Sequence, residues 1–147
     1  MNKPDCVFCR ILRGELPCQA VYEDDATLAF LDIGPIIKGH TLVIPKIHVE
    51  RITDVPAEAL GRVMQTVQRV AGALFRGLGA DGVNVHQTNG AAAGQTVPHV
   101  HFHVIPRFEG DGHSWNWRAG AYSGGAEMAE FARRIRGGLQ SSDLQKE

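Results

Sequence analysis

His99-Val100-His101-Phe102-His103-Val104-Ile105 is the stretch on which the reading of this chain turns. In a β-strand, alternate side chains point to the same face. Three imidazoles therefore line one side, while Val100, Phe102 and Val104 face a core. The chain holds 7 histidines in 147 residues, so three at alternate positions arise by chance in roughly one window in ten thousand. A solvent-facing strand has no chemical reason to prefer imidazole to Thr, Lys or Glu. Imidazole titrates near neutrality, so such a row suits metal binding, nucleophilic catalysis or phosphate binding.

Immediately before it lies Gly90-Ala91-Ala92-Ala93-Gly94-Gln95-Thr96. Small side chains let backbone N–H groups approach an anion, and Gln95 and Thr96 add an amide and a hydroxyl. Alone, this segment reads as a tight turn; directly before the histidine strand it reads as an anion site.

Residues 56–76 form the clearest helix. Leu60, Val63, Met64, Val67, Val70, Ala71, Leu74 and Phe75 repeat at the spacing of one buried face, with Pro56 at the start and Gly77 and Gly79 at the stop. A shorter helix fits residues 6–12. Strands are expected at residues 20–23, 27–32, 40–44, 83–89 and 100–105, the third closed by Pro45 and the fifth by Pro106. A glycine-rich loop over residues 110–125 leads to a short helix at about residues 126–136, and residues 139–147 read as a frayed tail. Hairpin-spaced strands with one long helix suggest an α+β domain with a mainly antiparallel sheet.

The bulk numbers narrow the class. Apolar residues are 44% and charged residues 21%, as in an ordinary soluble domain. A net charge of -1 gives no basic field for a nucleic acid polymer or an anionic membrane. Apolar runs are too short to span a bilayer, and the first residues lack the apolar stretch of a secretory signal, so the expected location is cytoplasmic. Three cysteines, an odd number, argue against a disulfide framework. Cys6-Val7-Phe8-Cys9 has a spacing that serves a metal, redox chemistry or neither. No G-x-x-x-x-G-K-[ST] loop and no Asp-x-Asp cluster occurs, which turns the reading away from P-loop and two-metal enzymes.

These motifs resemble the histidine triad family, whose signature alternates three histidines with apolar residues. Further similarities follow in order: Asp32 after an apolar strand, His40-Thr41-Leu42-Val43-Ile44-Pro45-Lys46, Asn89-Gly90, Gly94-Gln95-Thr96-Val97, and Ile105-Pro106-Arg107. The resemblance covers about residues 6–112. It implies one domain over residues 1–147 with a HIT-like fold of five strands, a long helix and a short C-terminal helix.

It also implies a hydrolase acting on the α-phosphate of nucleotide derivatives. By position, His101 resembles the nucleophile, which would form a nucleotidyl-histidine intermediate. His103, Gln95 and Thr96 resemble the groups that hold phosphate oxygens. His40 resembles the histidine supporting the nucleophile's proton and charge state. Asn89 resembles the residue near ribose and phosphate, and Asp32 the carboxylate that accepts both ribose hydroxyls. Phe8, Phe30 and Ile33 resemble the base-pocket wall; for the two aromatics, ordinary core packing is the competing reading. Some members bind zinc, and the matching positions here are Cys6, Cys9, His48 and His99. Four protein ligands leave no place for an activated water, so the implied zinc is structural. Cys18, His86 and His113 receive no role, and the Trp115 and Trp117 loop is left open.

The family further implies a homodimer and a small nucleotide substrate. A nucleoside phosphoramidate or monophosphate conjugate is the first expectation and a dinucleoside polyphosphate the alternative. A nucleotide-binding regulatory protein with incidental catalysis, and a zinc-binding module, compete from other classes. The second of these leaves Gln95, Thr96 and His101 unexplained.

Overall fold

The computed structural model describes residues 3–115 and 118–143. Alternation along its strands builds two cores, one on each side of a sheet. On β2 (Thr27–Leu31), Ala29 joins one apolar cluster, whereas Leu28 and Phe30 join the other. On β3 (Thr41–Pro45), Val43 belongs to the first cluster and Leu42 and Ile44 to the second. With a period of two, such strands have no solvent face.

The sheet has five strands, with β1 (Ala20–Glu23) at one edge, then β2, β3, β5 (Phe102–Arg107) and β4 (Gly82–Gln87), and all pairs are antiparallel. A turn between β1 and β2 is held by Asp24, whose Oδ1 accepts from the N–H groups of Ala26 and Thr27 at 2.9 and 2.7 Å.

One sheet face packs against α2 (Ala57–Leu78), whose Val63, Val67, Val70 and Leu74 meet Ala29, Val43, Val100, Phe102 and Val104. The helix stops at Gly79, which adopts a left-handed conformation with φ +64°. The expected apolar face is broader than the one the sheet covers. Met64 and Phe75 remain 42% and 47% exposed, while Thr66 is buried instead. Its hydroxyl lies 2.8 Å from that of Thr27, so β2 gives a buried polar group its partner. The opposite face carries α1 (Val7–Leu12), with Cys6, Phe8 and Cys9 packed on Leu28, Phe30, Leu42 and Ile44.

The fifth strand differs from its expected bounds at both ends. Pairing begins at Phe102 rather than at residue 100, because the preceding backbone bonds elsewhere: His99 N–H donates to Val97 O at 2.9 Å and Val100 N–H to Val49 O at 2.6 Å. Proline does not close the strand either. Pro106 pairs with Val83 on β4, but the ladder to β3 ends at Val104, so its missing N–H has no partner to disappoint. Pro45 likewise lies inside β3, beyond the last pair with β5.

The described residues fall into two compact units divided after His113. In the second unit, α3 (Gly125–Asp143) is longer than the expected helix at residues 126–136 and takes in much of the expected frayed tail. Residues 144–147 of that tail and Trp117 lie outside the described residues. No helix among the described residues is long and apolar enough to cross a membrane.

Candidate active site

A cleft of about 480 Å³ opens between α1 and the ends of β2 and β5, and its lining includes Phe8, Phe30, Asp32, Ile33, Thr96, His101 and His103. The lead-in to β5 delivers His101, and β5 itself delivers His103. His101 is 5% exposed, and its Nδ1 lies 2.6 Å from the backbone oxygen of His99. A carbonyl only accepts, so Nδ1 carries the proton and Nε2 keeps the unshared pair. Burial holds the imidazole below its ordinary pKa, so the ring is neutral near pH 7.

A second chain of hydrogen bonds sets His103. Ile36 N–H donates to His40 Nδ1 at 3.2 Å. His40 must then carry its proton on Nε2, which donates to His103 Nδ1 at 2.9 Å. His103 therefore presents Nε2–H as a donor. Burial, reinforced by the nearby His101 and His40, lowers His103 to about 4. The expectation gave His40 to the nucleophile; in the structure its hydrogen bond goes to His103. Asp32 Oδ2 lies 3.7 Å from His40 Nε2, but burial pushes His40 below its ordinary value, so this is not an ion pair at neutral pH.

Asp32 Oδ1 accepts from Gly34 N–H at 2.8 Å, which leaves Oδ2 for other partners. Phe8 and Phe30 are buried and stack edge to face with centroids 5.5 Å apart; Phe8 also meets the His101 ring edge-on at 5.2 Å. They thus serve as core and as cleft floor at once. Ile33 is fully exposed at the rim.

The loop before the histidines does not form an open cradle. Ala93 N–H and Gln95 N–H both donate to Gly90 O, and Gly94 N–H to Ala91 O. Gln95 closes the loop with its side chain: Oε1 accepts from Gly90 N–H at 2.7 Å, and Nε2 donates to Glu50 O and Val97 O at 2.7 and 3.1 Å. Its amide holds the loop, which leaves Thr96 as the loop's side chain in the cleft. Asn89 is also committed, accepting from Ile52 N–H at 2.8 Å and exchanging hydrogen bonds with Gln87. Neither Asn89 nor Gln95 lines the cleft. Arg107 is bound by Asp111 and Asn84 at the far end of β5.

Beside the cleft, Cys6, Cys9, His48 and His99 converge, with one donor atom from each within 4.8 Å of the others. His99 Nδ1 lies 3.6 and 3.7 Å from the two sulfurs, and His48 Nδ1 lies 3.3 Å from Cys9 Sγ. A tetrahedral zinc with bonds of about 2.0–2.3 Å spaces its ligands about 3.3–3.8 Å apart, so these separations fit. His99 Nε2 donates to Pro45 O at 3.0 Å, turning the Nδ1 lone pair toward the thiols. Burial raises the Cys9 thiol and lowers His48 and His99, the latter to about 4. Neutral imidazoles suit a metal, and buried thiolates require a cation.

Sequence reasoning missed the backbone carbonyls of Pro45 and His99, which set two imidazole tautomers. No residue type marks a carbonyl in advance. It also gave no role to Cys18, which lines the cleft with Leu16 and Pro17.

Known proteins resemble this chain in sequence and in fold. The HIT domain model matches residues 13–110. The chain is 44% identical over 107 residues to an adenylylsulfatase of Arabidopsis thaliana, covering 73% of this chain and 54% of that one. It is 43% identical over 102 residues to an adenosine 5'-monophosphoramidase of Schizosaccharomyces pombe, covering 69% and 74%. A HIT family structure from Bacillus subtilis superposes with a TM-score of 0.83 at 38% identity, covering 90% of this chain and 95% of that one. A zinc-bound histidine triad protein from Mycobacterium smegmatis does so with a TM-score of 0.72 at 40% identity, covering 97% and 98%. With the histidine row, the five-stranded sheet and two thirds of its length matched, the chain belongs to the histidine triad, or HIT, family.

Proposed function

We propose that this protein hydrolyses nucleotide derivatives at the α-phosphate through a covalent intermediate on His101. The hydrogen bond from His101 Nδ1 to His99 O carries the reading, because it leaves Nε2 as a neutral nucleophile in a cleft large enough for a nucleoside. Nε2 forms a bond to phosphorus, and the bond from phosphorus to the leaving group breaks. The leaving group departs with the bonding pair and is protonated from solvent. Water then displaces the imidazole and releases a nucleoside monophosphate and a proton. His103 Nε2–H and the Thr96 hydroxyl donate to the phosphate oxygens as charge grows on them. Asp32 Oδ2 accepts from the ribose, and Phe30 and Ile33 flank the base. Gln95 and Asn89 act through the backbone they hold rather than by touching phosphate.

The preferred substrate is a nucleoside phosphoramidate or another nucleoside monophosphate conjugate. The names of the Schizosaccharomyces and Arabidopsis relatives, a monophosphoramidase and an adenylylsulfatase, support that class. Cys6, Cys9, His48 and His99 would hold one zinc ion, which supplies rigidity beside the catalytic strand. The chain pairs with a second copy, since β4 is an edge strand with Val85 49% exposed and α2 leaves Met64 and Phe75 uncovered. A turnover panel of adenosine and guanosine phosphoramidates and dinucleoside polyphosphates tests the substrate class. No turnover of any of them overturns the reading. Light scattering tests the pairing, and a monomer at micromolar concentration refutes it.

A further inference from the structure

Thr96 separates two hollows. On one side is the cleft that holds Asp32, His101 and His103. On the other is a groove of about 300 Å³ lined by Glu50, Arg51, Gly90, Ala91, Gln95, Thr96 and Pro98. Among the described residues that line them, only Thr96 is common to both. The two hollows also differ in chemistry. The first is walled largely by apolar side chains and suits a nucleoside. The second brings Glu50, Arg51 and Gln95 together with the small or apolar Gly90, Ala91 and Pro98.

The acid of the groove makes its ion pair outside it, with Lys3, and feels Arg51 only as a weaker neighbouring charge. Glu50 is 2.8 Å from Lys3 Nζ, and this partner holds its carboxyl below the usual range. Arg51 is exposed, and among the described residues its guanidinium has no hydrogen bond or ion pair. The wall itself is stiff. Gln95 ties Gly90 N–H to Glu50 O, so both sides of the groove are cross-linked through one amide.

We propose that this groove receives the leaving group, and that Arg51 selects leaving groups with negative charge, such as phosphate or sulfate. The inference rests on the reading of His101 as a nucleophile toward an α-phosphate. A phosphate at Thr96 has two arms. The nucleoside arm fills the apolar cleft, and the other arm has the groove on the far side of Thr96 to enter. A guanidinium can meet a phosphate or sulfate with two parallel hydrogen bonds, whereas an amine offers it nothing. Arg51 thus acts on the choice of substrate and not on the bond-breaking chemistry.

The test measures kcat/KM of wild type, Arg51→Gln and Arg51→Lys on three compounds with one nucleoside. These are an adenylate joined to sulfate, an adenylate joined to phosphate and the simple adenosine phosphoramidate. The readout is the ratio of each anionic substrate to the phosphoramidate. Arg51→Gln should lower both ratios about tenfold, the loss of one charge-assisted contact, and Arg51→Lys should restore part of it. Added salt should lower the wild-type ratios and leave those of Arg51→Gln nearly flat. Ratios that move less than threefold overturn the groove assignment. Acid-quenched wild type supplies the separate control: nucleotide label on His101 keeps the nucleophile reading even where the ratios do not move, and its absence removes that reading itself.

Discussion

His101 Nδ1 donates to the backbone oxygen of His99 at 2.6 Å, so the ring that faces the cleft is oriented by the residue whose own ring faces two thiols. One short segment thus carries both chemistries. The His99 side chain reaches Cys6 and Cys9, while its carbonyl sets the tautomer of His101. Anything that fixes the His99 backbone therefore fixes the direction of the His101 lone pair.

Replacing His101 with Ala should abolish turnover while leaving nucleotide affinity within a few fold. His103, Thr96 and Asp32 remain in the cleft to hold the ligand. Rapid acid quench with labelled substrate should trap nucleotide on wild type and none on the variant. Normal turnover by His101→Ala removes the nucleophile assignment.

Asp32 should matter through ribose. One carboxylate oxygen is used by Gly34 N–H, and the other is available for a hydroxyl. Losing a hydrogen-bond partner of this kind costs about 1–3 kcal/mol. Nucleotides lacking both ribose hydroxyls should bind wild type more weakly, and Asp32→Ala should add little further loss for them. Calorimetry that gives equal affinity for the ribose and dideoxyribose forms rejects this role.

The cluster of Cys6, Cys9, His48 and His99 predicts a division of labour. Metal analysis of protein purified without chelator should give one zinc per chain. Cys9→Ser should lower both the zinc content and the melting temperature. Four protein donors would leave an ion no open position, so chelator should inactivate only as fast as the segment around Cys6 and Cys9 loosens. Immediate loss of activity with the fold intact, reversed by zinc, makes the metal catalytic instead.

Much of this could be read from residue types alone. The alternation in residues 99–105 placed Val100, Phe102 and Val104 in the core, and the helical spacing found α2 to within two residues. The four metal donors were found by position and do converge. What could not be read was where flexible polar side chains spend their hydrogen bonds. Gln95 has an amide that suits phosphate, and in the structure its two ends bond Gly90 N–H and Glu50 O, partners that no local pattern names. His40 bonds His103 because β3 and β5 pair Leu42 with His103, a register that no local pattern contains. Met64 and Phe75 show the same limit from the apolar side, since periodicity identifies a face but not how much of it one chain covers.

Acid should destabilise the fold through His103. Its ordinary value of 6.5 is lowered to about 4 by burial and by the neighbouring imidazoles. Above pH 6.5 the ring is neutral both folded and unfolded, and it contributes no pH dependence. Between 6.5 and about 4 the unfolded chain binds a proton that the folded one refuses, so stability falls as pH falls. His40, also lowered by burial, adds to the same slope. The melting temperature should therefore drop steadily between about pH 7 and about pH 4.5. His103→Asn keeps a polar group in the space but cannot titrate, so its melting temperature should fall less steeply over that window. Acid also releases zinc from thiols and imidazoles. The comparison is therefore made between Cys9→Ser alone and Cys9→Ser combined with His103→Asn, where that contribution is reduced in both proteins. Parallel curves for the single and the double variant show that His103 is not held neutral by the fold.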